Sequence, residues 1–94
     1  MPRAVFRGEV LADSEETTII EGNHYFPPGS VRDDVLVDSP TRTVCFWKGT
    51  ATYRSLLTDD EVVQDIAWVY DRPWPLARRI ARHVAFGPQV RIER

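Results

Sequence analysis

The stretch Cys45-Phe46-Trp47-Lys48-Gly49-Thr50-Ala51-Thr52-Tyr53 constrains the fold most. It is apolar and rich in aromatic and β-branched residues, which favour a pleated, half-buried surface. Thr41 to Trp47 reads as one strand, Lys48-Gly49 as a turn, and Thr50 to Leu57 as the returning strand. With a side-chain period of two, Ala51, Tyr53 and Ser55 fall on one face and Thr52, Arg54 and Leu56 on the other. The stretch also holds the only cysteine and the only lysine of the chain.

Further strand candidates flank this hairpin. Arg3 to Ala12 and Thr17 to Glu21, joined by the polar loop Asp13-Ser14-Glu15-Glu16, predict a hairpin with a G1-type or longer turn. Gly22-Asn23 breaks or bulges the chain before His24-Tyr25-Phe26. Pro27-Pro28-Gly29 then stops it, because proline supplies no N–H to a ladder. Ser30 to Asp34 predicts one capped helical turn. Asp38-Ser39-Pro40 reads as a turn. Val62 to Tyr70 predicts a strand, best defined over Ala67 to Tyr70 and ended by Asp71-Arg72-Pro73. A short helix follows Pro75, with Leu76, Ile80 and Val84 as its apolar stripe. Gln89 to Ile92 is a last strand. The fold class expected is mainly β: a small antiparallel curved sheet or partial barrel with one short helix near the C-terminus.

Ninety-four residues predict a single domain, 1–94. Hydrophobic residues at 43% and a net charge of −2 are those of a globular chain, not a disordered one. One cysteine excludes an internal disulfide and a multi-thiolate zinc site. No metal or cofactor is expected. The lack of any long apolar run predicts no membrane span or signal peptide, hence a cytoplasmic protein. Residues 72–94 carry six arginines and one acid, and the acids concentrate in residues 1–71. Arg78, Arg79 and Arg82 read as a solvated helix face, so a nucleic-acid partner is not expected.

Several segments together resemble a known family. They are Gly22-Asn23-His24-Tyr25-Phe26-Pro27, Cys45-Phe46-Trp47-Lys48-Gly49, Ala51-Thr52-Tyr53, Ala67-Trp68-Val69-Tyr70 and His83-Val84-Ala85-Phe86. In this order and spacing they resemble DUF427, a domain family of unknown function that also carries a nucleotidyltransferase label. The resemblance covers nearly the whole chain and implies a small β-rich domain of Mss4-like shape. Phe46 stands where the family often has proline, and Gly87 where it often has an aromatic residue. The chain lacks paired carboxylates after a Gly-Ser motif and lacks a Gly-rich phosphate loop, the features that would support the label.

The candidate site residues are His24, Tyr25, Cys45, Lys48, Tyr53, Trp68 and Tyr70. His24 titrates near neutrality and suits a general acid or base, or a strand-end hydrogen bond. Cys45 suits a nucleophile if a cation or helix N-terminus lowers its pKa, and otherwise a small buried residue. Lys48 can hold a phosphate or carboxylate as a point charge. Tyr25, Trp47, Tyr53, Trp68 and Tyr70 are amphipathic aromatics that form either a core or the wall of a pocket with polar tips.

Three functions follow. The first is binding of a small polar or anionic ligand in an aromatic-lined groove shared by His24 and Lys48. The second is an enzyme with His24 as acid/base, Lys48 as anion stabiliser and Cys45 as nucleophile. The third is an interaction module without a small ligand. The oligomeric state is not legible.

Overall fold

The computed structural model describes residues 1–94. The fold is mainly β, as expected, but the strands do not close into a barrel. They form three antiparallel sheets in the orders β2-β1-β9, β3-β4 and β5-β6-β7-β8. The strands are β1 Arg3–Phe6, β2 Glu9–Asp13, β3 Thr18–Ile20, β4 Asn23–Tyr25, β5 Leu36–Cys45, β6 Gly49–Leu57, β7 Val62–Val69, β8 Val84–Phe86 and β9 Arg91–Glu93.

The four-stranded sheet separates two cores, and alternation along β7 from Ala67 and along β8 supplies both. Ala67, Val69, Val84 and Phe86 point into the larger core, with Phe6, Leu11 and Phe26. Trp68, Tyr70 and Ala85 point the other way, into a smaller core with Ile20, Tyr25, Ala51 and Ile80. The sheet of β1, β2 and β9 covers the first core. The β3–β4 hairpin and a 3-10 helix over Pro75–Ile80 cover the second. Complete burial of side chains such as Phe26 and Ile66 stabilises the fold by about 1.5–3 kcal/mol each. Both faces are covered along the β7–β8 side of the central sheet, whereas the edge strand β5 is largely exposed.

The N-terminal hairpin differs from expectation. β1 pairs with β2 through the turn Arg7-Gly8, and β3 pairs with β4 through Glu21-Gly22. All four turn residues have positive φ, from 51° to 82°. Two-residue hairpin turns of this kind match the twist of the strands they join. Glycine takes the second position in each, while Arg7 and Glu21 bear the left-handed strain.

Asp38-Ser39-Pro40 is not a turn but part of β5, at the sheet edge, where a missing N–H is tolerated. Pairing with β6 is interrupted between Asp38 and Arg42. The Ser39 and Thr41 hydroxyls donate there to the two oxygens of Asp65, at 2.5 and 2.8 Å. Asp65 itself has φ of 55° and donates its N–H to Ser55 Oγ at 3.1 Å. A second irregularity between Arg54 and Leu56 leaves Ser55 and Leu56 both buried, so the predicted alternation stops at Arg54. The predicted α-helical stripe near the C-terminus is absent. The segment is 3-10, burying Ala77 and Ile80 at the three-residue spacing of that helix, while Leu76 is exposed and Val84 belongs to β8.

Candidate functional site

The site is built at the end of the β5–β6 hairpin. Cys45 pairs with Gly49, so the turn is Phe46-Trp47-Lys48, beginning two residues earlier and ending one residue earlier than the sequence suggests. The Trp74 N–H donates to the Lys48 carbonyl at 3.0 Å. Trp74 also lies against Gly49, where a Cβ would sit 3.4 Å from the Trp74 nitrogen, and the Gly49 φ is 107°. Glycine is needed here on both counts. The anchored turn sends the Lys48 side chain inward, leaving it 7% exposed.

A buried ammonium requires a partner. Lys48 Nζ donates to Glu21 Oε1 and lies 5.3 Å from the Trp47 ring centroid and 5.6 Å from that of Tyr70. The other Glu21 oxygen, Oε2, accepts the Trp47 indole N–H at 3.4 Å. Glu21 stands on the β3–β4 turn, and its side chain is 54% exposed. The lysine is thus enclosed while its counter-ion faces solvent.

Charge follows this geometry. The Lys48 hydrogen bond is the main reason the Glu21 carboxyl lies below the usual carboxylate range. For Lys48, burial opposes the charge. The Glu21 hydrogen bond and the fields of Tyr25, Tyr70 and Cys45 outweigh it and hold the ammonium above its ordinary value. Burial pushes the Tyr25 and Tyr70 phenols up. Cys45 is half-buried against the same core. A hydrogen bond from the Trp47 backbone N–H is the chief cause of its lowered thiol pKa, with burial acting against it and the Lys48 N–H and ammonium adding to it.

The aromatic residues expected to act together do meet. Trp68 Nε1 donates to Tyr25 Oη at 3.1 Å. Tyr53 and Trp68, paired across β6 and β7, have ring centroids 6.1 Å apart. Tyr25 and Tyr70 are 6.4 Å apart.

His24 does not join them. It alternates with Tyr25 along β4 and so projects to the opposite side of the hairpin, beside Ile19. Its Nδ1 is 2.9 Å from Thr17 Oγ1, and its ring is 6.4 Å from that of Phe26. Burial, with the positive charge of Arg94, lowers its pKa. The expected pairing of His24 with Lys48 in one groove is therefore corrected, and the strand period is the reason.

The expected groove is also closed. Surface cavities lie elsewhere; the largest, about 340 Å³, is lined by residues including Phe6, Arg7, Leu11, Arg32 and Leu56. Over Lys48 the space is taken by Glu21. Glu21 was not a sequence candidate, although a lone lysine turned inward needs an acid. No three His, Cys, Asp or Glu side chains converge as metal ligands. Arg78, Arg79 and Arg82 are all exposed.

A family model described as "Domain of unknown function (DUF427)" and labelled NTP_transf_9 matches residues 2–94. The chain belongs to the DUF427 family. The match spans the strands on both sides of the Lys48 turn, so the whole site lies within the DUF427 domain. No curated protein matches the chain. The DUF427 assignment brings no substrate or reaction with it, and the reading of the site rests on its chemistry. No helix of this DUF427 domain is long and apolar enough to cross a membrane.

Proposed function

We propose that this DUF427 domain binds a small anionic ligand at the mouth of the smaller core, with Lys48 as the fixed positive charge and Trp47 and Tyr70 as the adjoining aromatic surfaces. One observation carries the reading. Lys48 is almost fully enclosed, yet its carboxylate partner is a half-exposed side chain on a hairpin tip. An ion pair made only for stability gains little from such asymmetry, since a buried charge is costly and an exposed partner is screened. A lysine held rigid behind a displaceable carboxylate is organised to receive an anion from solvent.

The test is a thermal-shift titration of wild-type protein and Lys48→Met with sodium phosphate and sodium acetate, against sodium chloride at equal ionic strength. A saturable stabilisation confined to wild type supports the proposal. Equal responses of both proteins to all three salts refute it.

The enzyme reading keeps one supporting feature, the Cys45 thiol beside the Trp47 and Lys48 backbone N–H groups. It loses the acid/base partner first assigned to it, because His24 faces away.

A further inference from the structure

Glu21 holds Lys48 in a particular way. One oxygen accepts from an ammonium and the other from an indole N–H, and these donors are the consecutive residues Trp47 and Lys48. The two-donor arrangement suits a planar carboxylate, which offers one oxygen to each. A tetrahedral phosphate would place further charged oxygens against the Trp47 and Tyr70 rings that flank the ammonium. Those rings present negative faces, which attract the cation and repel excess negative charge.

The remaining groups agree. Tyr25 and Tyr70 are held in their neutral form by burial. The Lys48 ammonium thus has compensation for a single negative charge, which Glu21 now supplies. The carboxylate comes from the tip of β3–β4, a two-stranded sheet with no ladder to either larger sheet. The hairpin is tied to the body away from its tip, through the Tyr25–Trp68 hydrogen bond and the pair Phe26 and Val84. Its tip carries Glu21 and Gly22 at positive φ. The carboxylate can therefore leave by rotation of the half-exposed Glu21 side chain, while Ile20 and Tyr25 keep the hairpin itself packed on the central sheet.

We infer that Trp47 and Lys48 form a receptor for a small monocarboxylate, and that Glu21 is its built-in competitor, occupying the receptor until a ligand carboxylate replaces it. This rests on the anion-binding reading above and narrows it to one ligand class. The ligand body would lie on the solvent side, over the Trp47 ring, where Glu21 now enters.

The test uses Glu21→Ala with sodium acetate as probe, and sodium phosphate and sodium chloride at matched ionic strength. The readout is the Trp47 indole N–H resonance, assigned by comparison with Trp47→Phe. Removing the competitor should produce a saturable acetate-dependent shift with an apparent affinity at least tenfold above wild type. Lys48→Met in the same background should abolish it. Glu21→Gln, which keeps the size of the side chain but removes its charge and replaces one accepting oxygen with an NH2 donor, provides the same test if the alanine variant does not fold.

Saturation by phosphate but not acetate overturns the carboxylate receptor and leaves anion binding standing. Saturation by neither overturns both. Saturation by acetate in the variant, with no acetate response from wild type at any concentration, keeps the receptor geometry but refutes replacement of Glu21 by a ligand.

Discussion

The Trp68 indole N–H donates to the Tyr25 hydroxyl at 3.1 Å, across 43 positions of sequence. The bond ties β4 to β7 and fixes the inner wall of the site. Tyr25 is 1% exposed, so its hydroxyl has no ready access to water. Trp68 is only half-buried, which limits what its truncation costs. Trp68→Phe should lose about 1 kcal/mol, the worth of a hydrogen bond with little change in packing. Trp68→Ala should lose about 2–3 kcal/mol, below the range for a fully buried ring. Urea denaturation midpoints separate the two; equal midpoints for wild type and alanine variant would remove Trp68 from the wall.

Asp65 gathers the irregularities of the central sheet. Its two oxygens accept from Ser39 and Thr41, and its backbone N–H donates to Ser55. Asp65→Ala leaves both hydroxyls without their acceptor and keeps the strain of a positive φ. The expected loss is about 2 kcal/mol. Asp65→Asn, which tolerates the left-handed region and retains one acceptor, should lose less. Thermal unfolding of both variants checks the order, and an alanine variant as stable as wild type contradicts it.

Glu21 makes the fold sensitive to acid. Its pKa is lowered in the folded state, so its contribution is present above the ordinary value of 4.5 and disappears as pH falls through the folded value. Glu21→Gln should therefore flatten the acid side of the stability profile below that point. Lys48 acts in the opposite sense. Its raised pKa gives stability that is full below 10.5 and is lost as pH rises through the folded value. Chemical denaturation across pH tests both; an unchanged acid slope in Glu21→Gln would show that the pair contributes nothing.

His24 has its own window. Burial favours the neutral ring, with the Arg94 charge adding to the effect, so the folded pKa is below 6.5. Stability is then full above 6.5 and declines as pH falls toward the folded value. His24→Gln should remove this decline while leaving acetate binding intact, because His24 lies away from Lys48. Loss of acetate binding in that variant would contradict the geometry.

Cys45 should alkylate at lower pH than an ordinary thiol. The Trp47 N–H, with the Lys48 N–H and ammonium adding to it, stabilises the thiolate. The pH profile of iodoacetamide labelling should have its midpoint below 9.0 and move upward in Lys48→Met. A midpoint unaffected by that substitution would separate the thiol from the lysine.

The strands were legible wherever alternation was clean. Ala67 to Tyr70 reads as a strand because Trp68 and Tyr70 must take the face opposite Ala67 and Val69, and two separate cores accept them. The first turns were obscured because Arg7 and Glu21 occupy left-handed positions usually held by Asn or Asp. Pro40 read as a turn because tolerance of proline at a sheet edge depends on a neighbour absent from the local sequence. In the site, Lys48 and the aromatic residues were legible as amphipathic groups near one hairpin. Glu21 was not, because its pairing is made 27 positions away and only the topology brings it there. The position of His24 was not legible, because it depends on which face of β4 packs on the sheet; Tyr25 does, and the period of two sends His24 to the other side.

The most direct measurement of the central claim follows the Trp47 indole N–H of the wild-type protein during an acetate titration at constant ionic strength. Replacement of Glu21 by a ligand carboxylate predicts a saturable shift that is absent in Lys48→Met and tighter in Glu21→Ala. An indole resonance that stays fixed in all three proteins would show that the Glu21–Lys48 pair is a closed structural contact and that no carboxylate enters there.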